Sequence, residues 1–228
     1  MRLSVIIPVY NEIQTIGRII EGVLSAPISL EKEVVVVDDA SRDGTKEYLE
    51  GLNKKEVTVL FHERNKGKAD AIKTALPKVS GDIIIIQDAD LEYPPDTNYP
   101  LVLEPILKGY ADVVYGSRFL GVHRVFLIWH YFANKVLTTL ANILYNTMLS
   151  DMETGVKAFR AQVLKDLKIT SRGFAFEPEI TAKVFKKNLR VYEVPIVYCG
   201  RSYREGKKIT PFDGIKALWA LIRYRFAD

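Results

Sequence analysis

The chain is poor in cysteine and histidine. Cys199 is the single cysteine in 228 residues, which excludes a disulfide framework within the chain and fits a reducing compartment. His62, His123 and His130 lack the spacing of a zinc site. No basic segment followed by an apolar core opens the sequence, so no secretory signal peptide is expected. These scarcities exclude a disulfide-dependent fold and give no support to a zinc protein.

Charge is distributed unevenly along the chain. Residues 1–117 carry 13 basic and 19 acidic side chains, a net charge of −6. Residues 118–228 carry 19 and 9, a net charge of +10. An acidic half beside a basic half favours metal chemistry in the first and anionic partners for the second, with chance unevenness as the alternative.

Apolar runs alternate with helical patterns in the first half. The runs predict buried strands at residues 3–10, 33–39, 57–62, 82–90 and 111–118. Helical spacing and a candidate cap at Ser41 predict helices near residues 16–24, 41–52 and 68–79. This alternation predicts an α/β fold in which helices cover both faces of a mostly parallel sheet.

Carboxylates end two of the predicted strands. Asp38 and Asp39 close the second strand, and Asp88 and Asp90 close the fourth. Ligands of open α/β sheets lie beyond the carboxyl ends of the strands, so a ligand is expected at this edge. Two aspartates at i and i+2 on a strand point the same way and repel unless a cation separates them. Mg²⁺ or Mn²⁺ carrying a phosphorylated ligand fits this pair, and a solvated acidic turn is the alternative.

Two apolar segments of the second half predict amphipathic helices. Residues 125–150 are strongly apolar but are interrupted by polar side chains, which favours a helix on a membrane surface or over the active site. A spanning helix and an ordinary core helix are the alternatives. Residues 215–226 place aromatic beside basic side chains, as in an interfacial anchor, and are too short to span a bilayer.

Eight motifs, in order, resemble those of family-2 glycosyltransferases, which have the nucleotide-sugar-binding GT-A (Rossmann-like) fold. They are PVYNE (8–12), VDDASRDGT (37–45), QDADLEYPP (87–95), VYGSRFLG (114–121), DMETGVKAFR (151–160), GFAFEPEI (173–180), EVPIVY (193–198) and RSYREGKKI (201–209). The set is most similar to the dolichol-phosphate mannose synthase branch. Such enzymes transfer a sugar from a nucleotide donor to a polyprenyl phosphate with inversion.

The resemblance implies roles for individual residues. It implies metal binding by Asp88 and Asp90, and catalytic roles for Asp90, Arg118 and Arg201. It implies an acceptor-phosphate site at Arg118, Arg124, His130 and Asn134. Nucleotide-sugar contacts are implied for Pro8, Tyr10, Glu12, Val37, Asp39, Asp88, Ala89, Asp90, Glu92, Arg118, Arg201 and Lys207.

The sequence departs from the family pattern at two places. Glu92–Tyr93 replaces the usual glutamine and histidine, and few basic residues follow the GSR motif that ends at Arg118. Residues 201–209 are expected to form a mobile loop that closes over the donor. Glu177 and Glu179 are interpreted as charges favoured by a helix N-terminus, or as residues that order the acceptor loop.

The resulting hypothesis is a single GT-A domain over residues 1–228, with a nucleotide- and metal-binding half (1–117) and an acceptor-binding, membrane-facing half (118–228). GDP-mannose is the favoured donor, with UDP-glucose or UDP-GlcNAc as alternatives, and the acceptor is a polyprenyl (dolichyl) phosphate. A sugar-hydroxyl acceptor would need a base such as Asp151, Glu153 or Glu177. A nucleotidyltransferase or a non-catalytic module fits the motifs less well. No nucleic-acid partner is expected, and the protein is expected on the cytoplasmic face of a membrane, as a peripheral protein.

Overall fold

Seven strands form one sheet in the computed structural model, which describes residues 1–125, 127–201 and 211–227. The strands are β1 (Arg2–Val9), β2 (Glu31–Asp38), β3 (Val57–Phe61), β4 (Ile83–Ile86), β5 (Val113–Ser117), β6 (Lys157–Arg160) and β7 (Val191–Pro195). Their order is β3-β2-β1-β4-β6-β5-β7. β6 is antiparallel to both neighbours, and the other pairs are parallel. The predicted α/β fold with a mostly parallel sheet is confirmed.

Helices cover both faces of the sheet. They are α1 (Ile16–Ser25), α2 (Thr45–Glu50), α3 (Lys68–Ala75), α4 (Pro95–Leu107), α5 (Ile128–Tyr145), α6 (Ala161–Asp166), α7 (Phe176–Lys186) and α8 (Pro211–Phe226). Buried side chains of α1, α2 and α4 share one apolar core with the sheet. Those of α3, α5, α6, α7 and α8 share the other. The helices therefore pack against the faces of the sheet, and the ends of the strands lie between the two helix layers.

The run of isoleucines in β4 serves both cores. Ile83 and Ile85 face the α1 and α4 layer, whereas Ile84 and Ile86 face the opposite layer. Successive side chains of a strand point to opposite faces, so a strand covered on both faces must be apolar at every position. This is why the sequence of β4 shows no alternation.

Several boundaries differ from the sequence predictions. β4 ends at Ile86, so Asp88 and Asp90 lie in the turn after the strand and not on it. α2 begins at Thr45 after Gly44, and Ser41 does not cap it. The first amphipathic helix occupies Ile128–Tyr145 within the predicted 125–150. β6 and β7 were not predicted as strands.

The two halves of the chain share the sheet. β6, from residues 118–228, pairs with β4 on one side and with β5 on the other. β7 extends the sheet beyond β5. Over the described parts of the chain, no helix has the length and apolar character needed to cross a membrane.

Glu179, in the first turn of α7, is fully buried and holds the preceding segment in place. Its carboxylate accepts the backbone N–H groups of Thr170 and Ser171 at 2.7 and 2.8 Å and the Lys183 ammonium at 2.7 Å. Burial raises the pKa of Glu179, but the hydrogen bonds from Lys183, Ser171 and Thr170 outweigh it, so the pKa is lowered from its ordinary 4.5. The residue therefore orders residues 170–171 in addition to lying at a helix N-terminus.

We expect Glu179→Gln to lower the free energy of unfolding by about 3 kcal/mol at neutral pH, because it replaces one acceptor oxygen with an amide donor and removes the negative charge that pairs with buried Lys183. The folded-state pKa is depressed, so the wild-type stabilisation is present above about pH 4.5 and is lost as the pH falls further. Urea unfolding at neutral pH and near pH 4 should show the difference between variant and wild type shrinking. Glu104→Gln, at an exposed pair with Lys108, is the control. An equal difference at both pH values would contradict the assignment.

Candidate active site

The carboxyl ends of β2, β1 and β4 lie side by side, because these strands are neighbours in the sheet. Five carboxylates and two cations meet beyond these ends, and we call them the acidic cluster. Its members are Glu12, Asp88, Asp90, Glu92, Glu177, Lys68 and Arg201. The cluster lies at the edge where a ligand of an open α/β sheet is expected.

Arg201 joins Asp90 to Glu12. Its Nη2 lies 2.9 Å from Asp90 Oδ2, and its Nη1 lies 3.1 Å from Glu12 Oε2. Its backbone N–H donates to Glu92 Oε1 at 2.7 Å. Burial lowers the pKa of Arg201, but Asp90 and Glu12 outweigh it and the pKa is raised. Arg201 therefore brings a permanent positive charge to the predicted metal ligand Asp90.

Lys68 joins Asp88 to Glu177. Its Nζ lies 2.7 Å from Asp88 Oδ1 and 2.8 Å from Glu177 Oε1. Burial lowers the pKa of Lys68, but these two carboxylates raise it far above the ordinary value. The sequence argument that one cation must separate Asp88 from Asp90 was incomplete, because each aspartate already pairs with its own cation from the protein.

Negative charge still predominates in the acidic cluster. Its described residues carry five carboxylates against two cations, a formal excess of three negative charges when every carboxylate is ionised. Burial, followed by Asp88 and Glu92, raises the pKa of Asp90 to about 7. A divalent cation would offset this excess.

Asp88 and Asp90 fit Mg²⁺ or Mn²⁺ on condition that a ligand supplies further oxygens. Within residues 1–125, 127–201 and 211–227, no group of three or more His, Cys, Asp or Glu side chains is arranged to hold a metal ion. Mg²⁺ is commonly bound by one or two carboxylates together with substrate phosphates and water. The pair therefore suits a metal that is shared with a phosphorylated ligand.

Glu92 and Tyr93, which depart from the family pattern, tie the turn after β4 to other segments. Glu92 Oε2 accepts the Tyr198 hydroxyl at 3.0 Å, in addition to the Arg201 backbone N–H. The Tyr93 hydroxyl oxygen accepts the Gly155 backbone N–H at 3.0 Å. The departures therefore connect the Asp88–Asp90 turn to residues 198–201 and to the loop before β6.

Arg118 is held by Asp151. Its Nε and Nη2 lie 2.6 and 2.7 Å from the two carboxylate oxygens of Asp151, which is fully buried. The Arg118 guanidinium also lies 5.4 Å from the centre of the Tyr198 ring. Because Tyr198 binds Glu92, Arg118 is linked to the acidic cluster through one intermediate side chain.

The loop after β1 is fastened to the loop after β2. Ser41 Oγ accepts the Asn11 backbone N–H at 2.9 Å, and Asn11 Oδ1 accepts the Arg42 backbone N–H at 2.8 Å. Thr45 Oγ1 accepts the Glu12 backbone N–H at 3.0 Å. These bonds fix the backbone on which Glu12 reaches Arg201.

Other residues predicted to contact the nucleotide lie outside the acidic cluster. Pro8 and Tyr10 lie at the end of β1, with Tyr10 exposed, whereas the Val37 side chain lies in the core. The oxygens of Asp39 accept the backbone N–H groups of Lys66 and Gly67 at 2.8 and 2.7 Å, and one lies 2.7 Å from His62 Nδ1. Asp39 thus holds the loop before α3.

Ala89 is buried between the two aspartates of the turn. Among the predicted acceptor residues, Arg124 donates to the Gly200 carbonyl at 3.1 Å and lines a cavity of about 370 Å³. His130 and Asn134 lie on α5, where Asn134 Oδ1 accepts the Thr138 hydroxyl. Arg124 thus lies beside Gly200, whereas His130 and Asn134 lie on α5, and the acceptor role of these residues stays a prediction. Lys207, with the remainder of the predicted 202–209 loop, lies outside the described residues.

Sequence reasoning missed Lys68 and Tyr198. Lys68 is the first residue of α3 and follows Gly67, whose φ of +91° is a conformation that favours glycine. A Cβ at Gly67 would also lie 2.7 Å from Gly173 Cα, so the two loops meet only because Gly67 carries no side chain. A glycine directly before a helix was the available signal, but it does not reveal which carboxylates the lysine reaches.

The chain belongs to glycosyl transferase family 2, whose model matches residues 4–168. A dolichol-phosphate mannosyltransferase from Pyrococcus furiosus is 31% identical over 98% of this chain and 64% of its own length. An undecaprenyl-phosphate 4-deoxy-4-formamido-L-arabinose transferase from Edwardsiella ictaluri is 30% identical over 90% of this chain and 62% of its own length. The chain thus spans less than two thirds of either relative.

Solved structures confirm the GT-A-like fold. Glucosyl-3-phosphoglycerate synthase from Mycobacterium tuberculosis, in complex with Mn²⁺, uridine diphosphate and glucosyl-3-phosphoglycerate, has a TM-score of 0.78. The alignment covers 100% of this chain and 81% of that one at 20% identity. The same enzyme with Mg²⁺ and uridine diphosphate gives a TM-score of 0.75. At this identity the likeness concerns the fold.

We expect Gly155→Ala to displace Asp88 without unfolding the protein. A Cβ at Gly155 would lie 2.0 Å from Asp88 Oδ2 and 2.8 Å from Tyr93 Cε2, so the Asp88 carboxylate must shift from the position in which it pairs with Lys68. Binding of a nucleoside diphosphate with Mn²⁺, measured by calorimetry, should weaken at least about tenfold, the equivalent of 1.4 kcal/mol. Gly51→Ala, where an added Cβ meets ordinary contacts of 3.7 Å, is the control. Unchanged affinity in Gly155→Ala would show that Asp88 does not contribute.

Proposed function

We propose that the protein is an inverting, metal-dependent glycosyltransferase that moves mannose from GDP-mannose to dolichyl or another polyprenyl phosphate, with Mg²⁺ or Mn²⁺ as cofactor. The acidic cluster carries the proposal, because its excess negative charge suits a divalent ion that brings a diphosphate. The names of the Pyrococcus and Edwardsiella relatives, each of which contains a polyprenyl phosphate, support the acceptor class.

In this proposal the acceptor phosphate is itself the nucleophile. One of its oxygens forms a bond to the anomeric carbon while the bond from that carbon to the donor diphosphate breaks. The attack comes from the face opposite the leaving group, which inverts the centre, and alignment of the two anions is the main task of the protein. An anionic phosphate needs no general base, so no carboxylate has to accept a proton.

Positive groups then stabilise the departing diphosphate. Arg201 lies beside Asp90 and gives the developing negative charge a fixed partner. Mg²⁺ or Mn²⁺, when bound at Asp88 and Asp90, supplies Lewis-acid stabilisation of the same diphosphate. Arg118 uses Nε and Nη2 on Asp151, and we propose that its Nη1 contacts a phosphate oxygen. Lys207 has the same role by resemblance.

The alternative donors are UDP-sugars. The fold relatives were solved with uridine diphosphate, so UDP-glucose and UDP-GlcNAc are the alternatives to GDP-mannose. The test is a panel of the three radiolabelled donors with Mn²⁺, each offered short-chain polyprenyl phosphate and, separately, free sugars as acceptors. Transfer from GDP-mannose alone supports the proposal. A preference for a UDP-sugar would contradict GDP-mannose as the donor but support the acceptor class. Transfer only to free sugars would contradict the proposed donor and the proposed acceptor class.

One observation favours a sugar-hydroxyl acceptor as the second candidate. Asp151 and Glu177 are engaged by Arg118 and Lys68, but Glu153 Oε1 is buried without a hydrogen-bond partner among the described residues. Burial, followed by Glu177, raises the pKa of Glu153 to about 8, which suits proton transfer near neutral pH. Glu153→Gln distinguishes the candidates, because it removes transfer to a hydroxyl but leaves transfer to a phosphate.

We expect Asp90→Asn to reduce transfer at least about a hundredfold, because it weakens both the metal site and the pairing with Arg201. The loss should persist at saturating Mg²⁺ or Mn²⁺, while circular dichroism and the unfolding midpoint stay near those of wild type. Asp96→Asn, on the exposed start of α4, is the matched control. Near-normal turnover of Asp90→Asn with either metal would rule out this site.

We also propose that the protein acts as a peripheral protein on the cytoplasmic face of a membrane, where a polyprenyl phosphate keeps its tail. Trp129 and Phe132 of α5 are 79% and 60% exposed, one turn apart on the same helix. α8 lies next to α5, where the Tyr145 hydroxyl donates to the Leu221 carbonyl at 2.7 Å. Exposed aromatic and apolar side chains on adjacent helices suit the headgroup region of a bilayer.

We expect Trp129→Ser/Phe132→Ser to weaken binding to anionic vesicles at least about tenfold, since each buried aromatic contributes about 2 kcal/mol. Co-sedimentation at low and high salt measures the effect, and wild-type binding should itself weaken at high salt because exposed charges are screened. Leu107→Ser/Tyr110→Ser removes exposed apolar area at the end of α4 and serves as control. Wild type that stays in the supernatant at low salt would defeat the proposal. If alkaline carbonate does not extract the bound protein from the vesicles, a helix inserted into the bilayer would be the better interpretation.

A further inference from the structure

A second cavity, of about 510 Å³, lies between residues 170–172 and one side of α8. We call it the α8 cavity. Among the described residues, three basic side chains line it: Arg172, Lys216 and Arg223. No acidic side chain is among its described lining residues. The surroundings therefore favour an anion.

Aromatic rings hold one of these cations in place. The Arg223 guanidinium lies 5.2 Å from the centre of the Trp219 ring and 5.6 Å from that of Tyr224. The Tyr224 hydroxyl in turn lies 2.9 Å from Thr170 Oγ1 on the opposite wall. A guanidinium stacked in this way is pre-organised for a phosphate, because less side-chain freedom is lost on binding.

Ser171 belongs to the rigid wall of the cavity that faces α8. It is only 6% exposed and lines the cavity, and its Oγ has no hydrogen-bond partner among the described residues. Its backbone is fixed, because the N–H donates to Glu179 and the carbonyl accepts the Lys73 ammonium at 3.1 Å. Ser171 and Thr170 therefore form a fixed wall of the cavity opposite Arg223.

The cavity opens beside an apolar stripe on α8. Ile215, Trp219, Ile222 and Phe226 recur at helical spacing, and all four are exposed. Ile215 and Trp219 also line the cavity, so the stripe and the basic pocket are continuous. A free phosphate would use only the pocket. A ligand that uses both surfaces carries a phosphate and an apolar tail.

We infer that the α8 cavity binds the phosphate of an anionic bilayer phospholipid, with the lipid tail along the apolar stripe. This lipid is not the acceptor of the transfer reaction. It gives the surface contact a specific headgroup position, between Arg172 and Arg223, in addition to general attraction. The inference does not depend on which sugar is transferred.

The test compares two charge-matched double variants. Arg172→Gln/Arg223→Gln removes two charges from the cavity, and Lys187→Gln/Arg225→Gln removes two exposed charges nearby that do not line it. Vesicles of phosphatidylcholine with a minority of phosphatidylglycerol are the probe. General attraction to the surface falls alike in both, so we expect the cavity variant to bind at least about tenfold more weakly than the control variant. Equal binding overturns the inference.

Arg172→Gln alone keeps the test valid if the double variant folds poorly. Arg172 is exposed, so the unfolding midpoint should not fall, while vesicle binding should weaken about threefold relative to Lys187→Gln. Unchanged vesicle binding by this variant counts against the cavity.

Two soluble ligands separate the possible sources of the phosphate. Glycerol phosphate at millimolar concentration should not displace the protein from the vesicles, because it lacks the tail. The KM for a short-chain polyprenyl phosphate without vesicles should be the same in Arg172→Gln/Arg223→Gln and in wild type. Displacement by glycerol phosphate would indicate a site for a soluble phosphate, and a raised KM would indicate the acceptor subsite. Either result overturns the inference.

Discussion

Two ion-pair bridges hold together an edge of the sheet that would otherwise repel itself. Lys68 comes from the start of α3 and joins Asp88 to Glu177, and Arg201 comes from beyond β7 and joins Asp90 to Glu12. Removing either cation would leave two partly buried carboxylates facing each other, which is far more costly than the net value of the bridge. The loops around the site therefore depend on these pairs, and the remaining negative charge is what favours a metal with a phosphorylated ligand.

The position of the site could be predicted from sequence, whereas its pairings could not. Unbroken apolar strands such as β4 indicate a sheet covered on both faces, and this topology gathers the carboxyl ends of the strands at one edge. Asp88 and Asp90 follow from that geometry. Arg201 and Asp90, by contrast, are separated by 111 positions, and no local pattern predicts their 2.9 Å contact. β6 is equally hidden, because its four residues KAFR are too short to show a period of two.

Glu92 shows how a departure from a family pattern can be structural. Its carboxylate accepts the Tyr198 hydroxyl and the Arg201 backbone N–H, and it helps to raise the pKa of Asp90. A neutral side chain there would ease the repulsion at Asp90, but it would loosen the hold on Arg201. The sequence shows that Glu92 departs from the family pattern. It does not show that residues 198–201 contact the turn after β4, which is what gives Glu92 its structural role.

The first turn of α7 connects the acidic cluster, where a metal-bound diphosphate is proposed, to the α8 cavity, where a lipid phosphate is proposed. Glu177 reaches the acidic cluster through Lys68, and Glu179 holds residues 170–171, which form a wall of the α8 cavity. A helix turns by about 100° per residue, so these positions point to nearly opposite sides of α7. A lipid phosphate seated in the cavity would therefore be tied to the acidic cluster by a single rigid turn. That turn would fix the distance of the site from the bilayer surface, which a reaction between a soluble donor and a membrane-held phosphate requires.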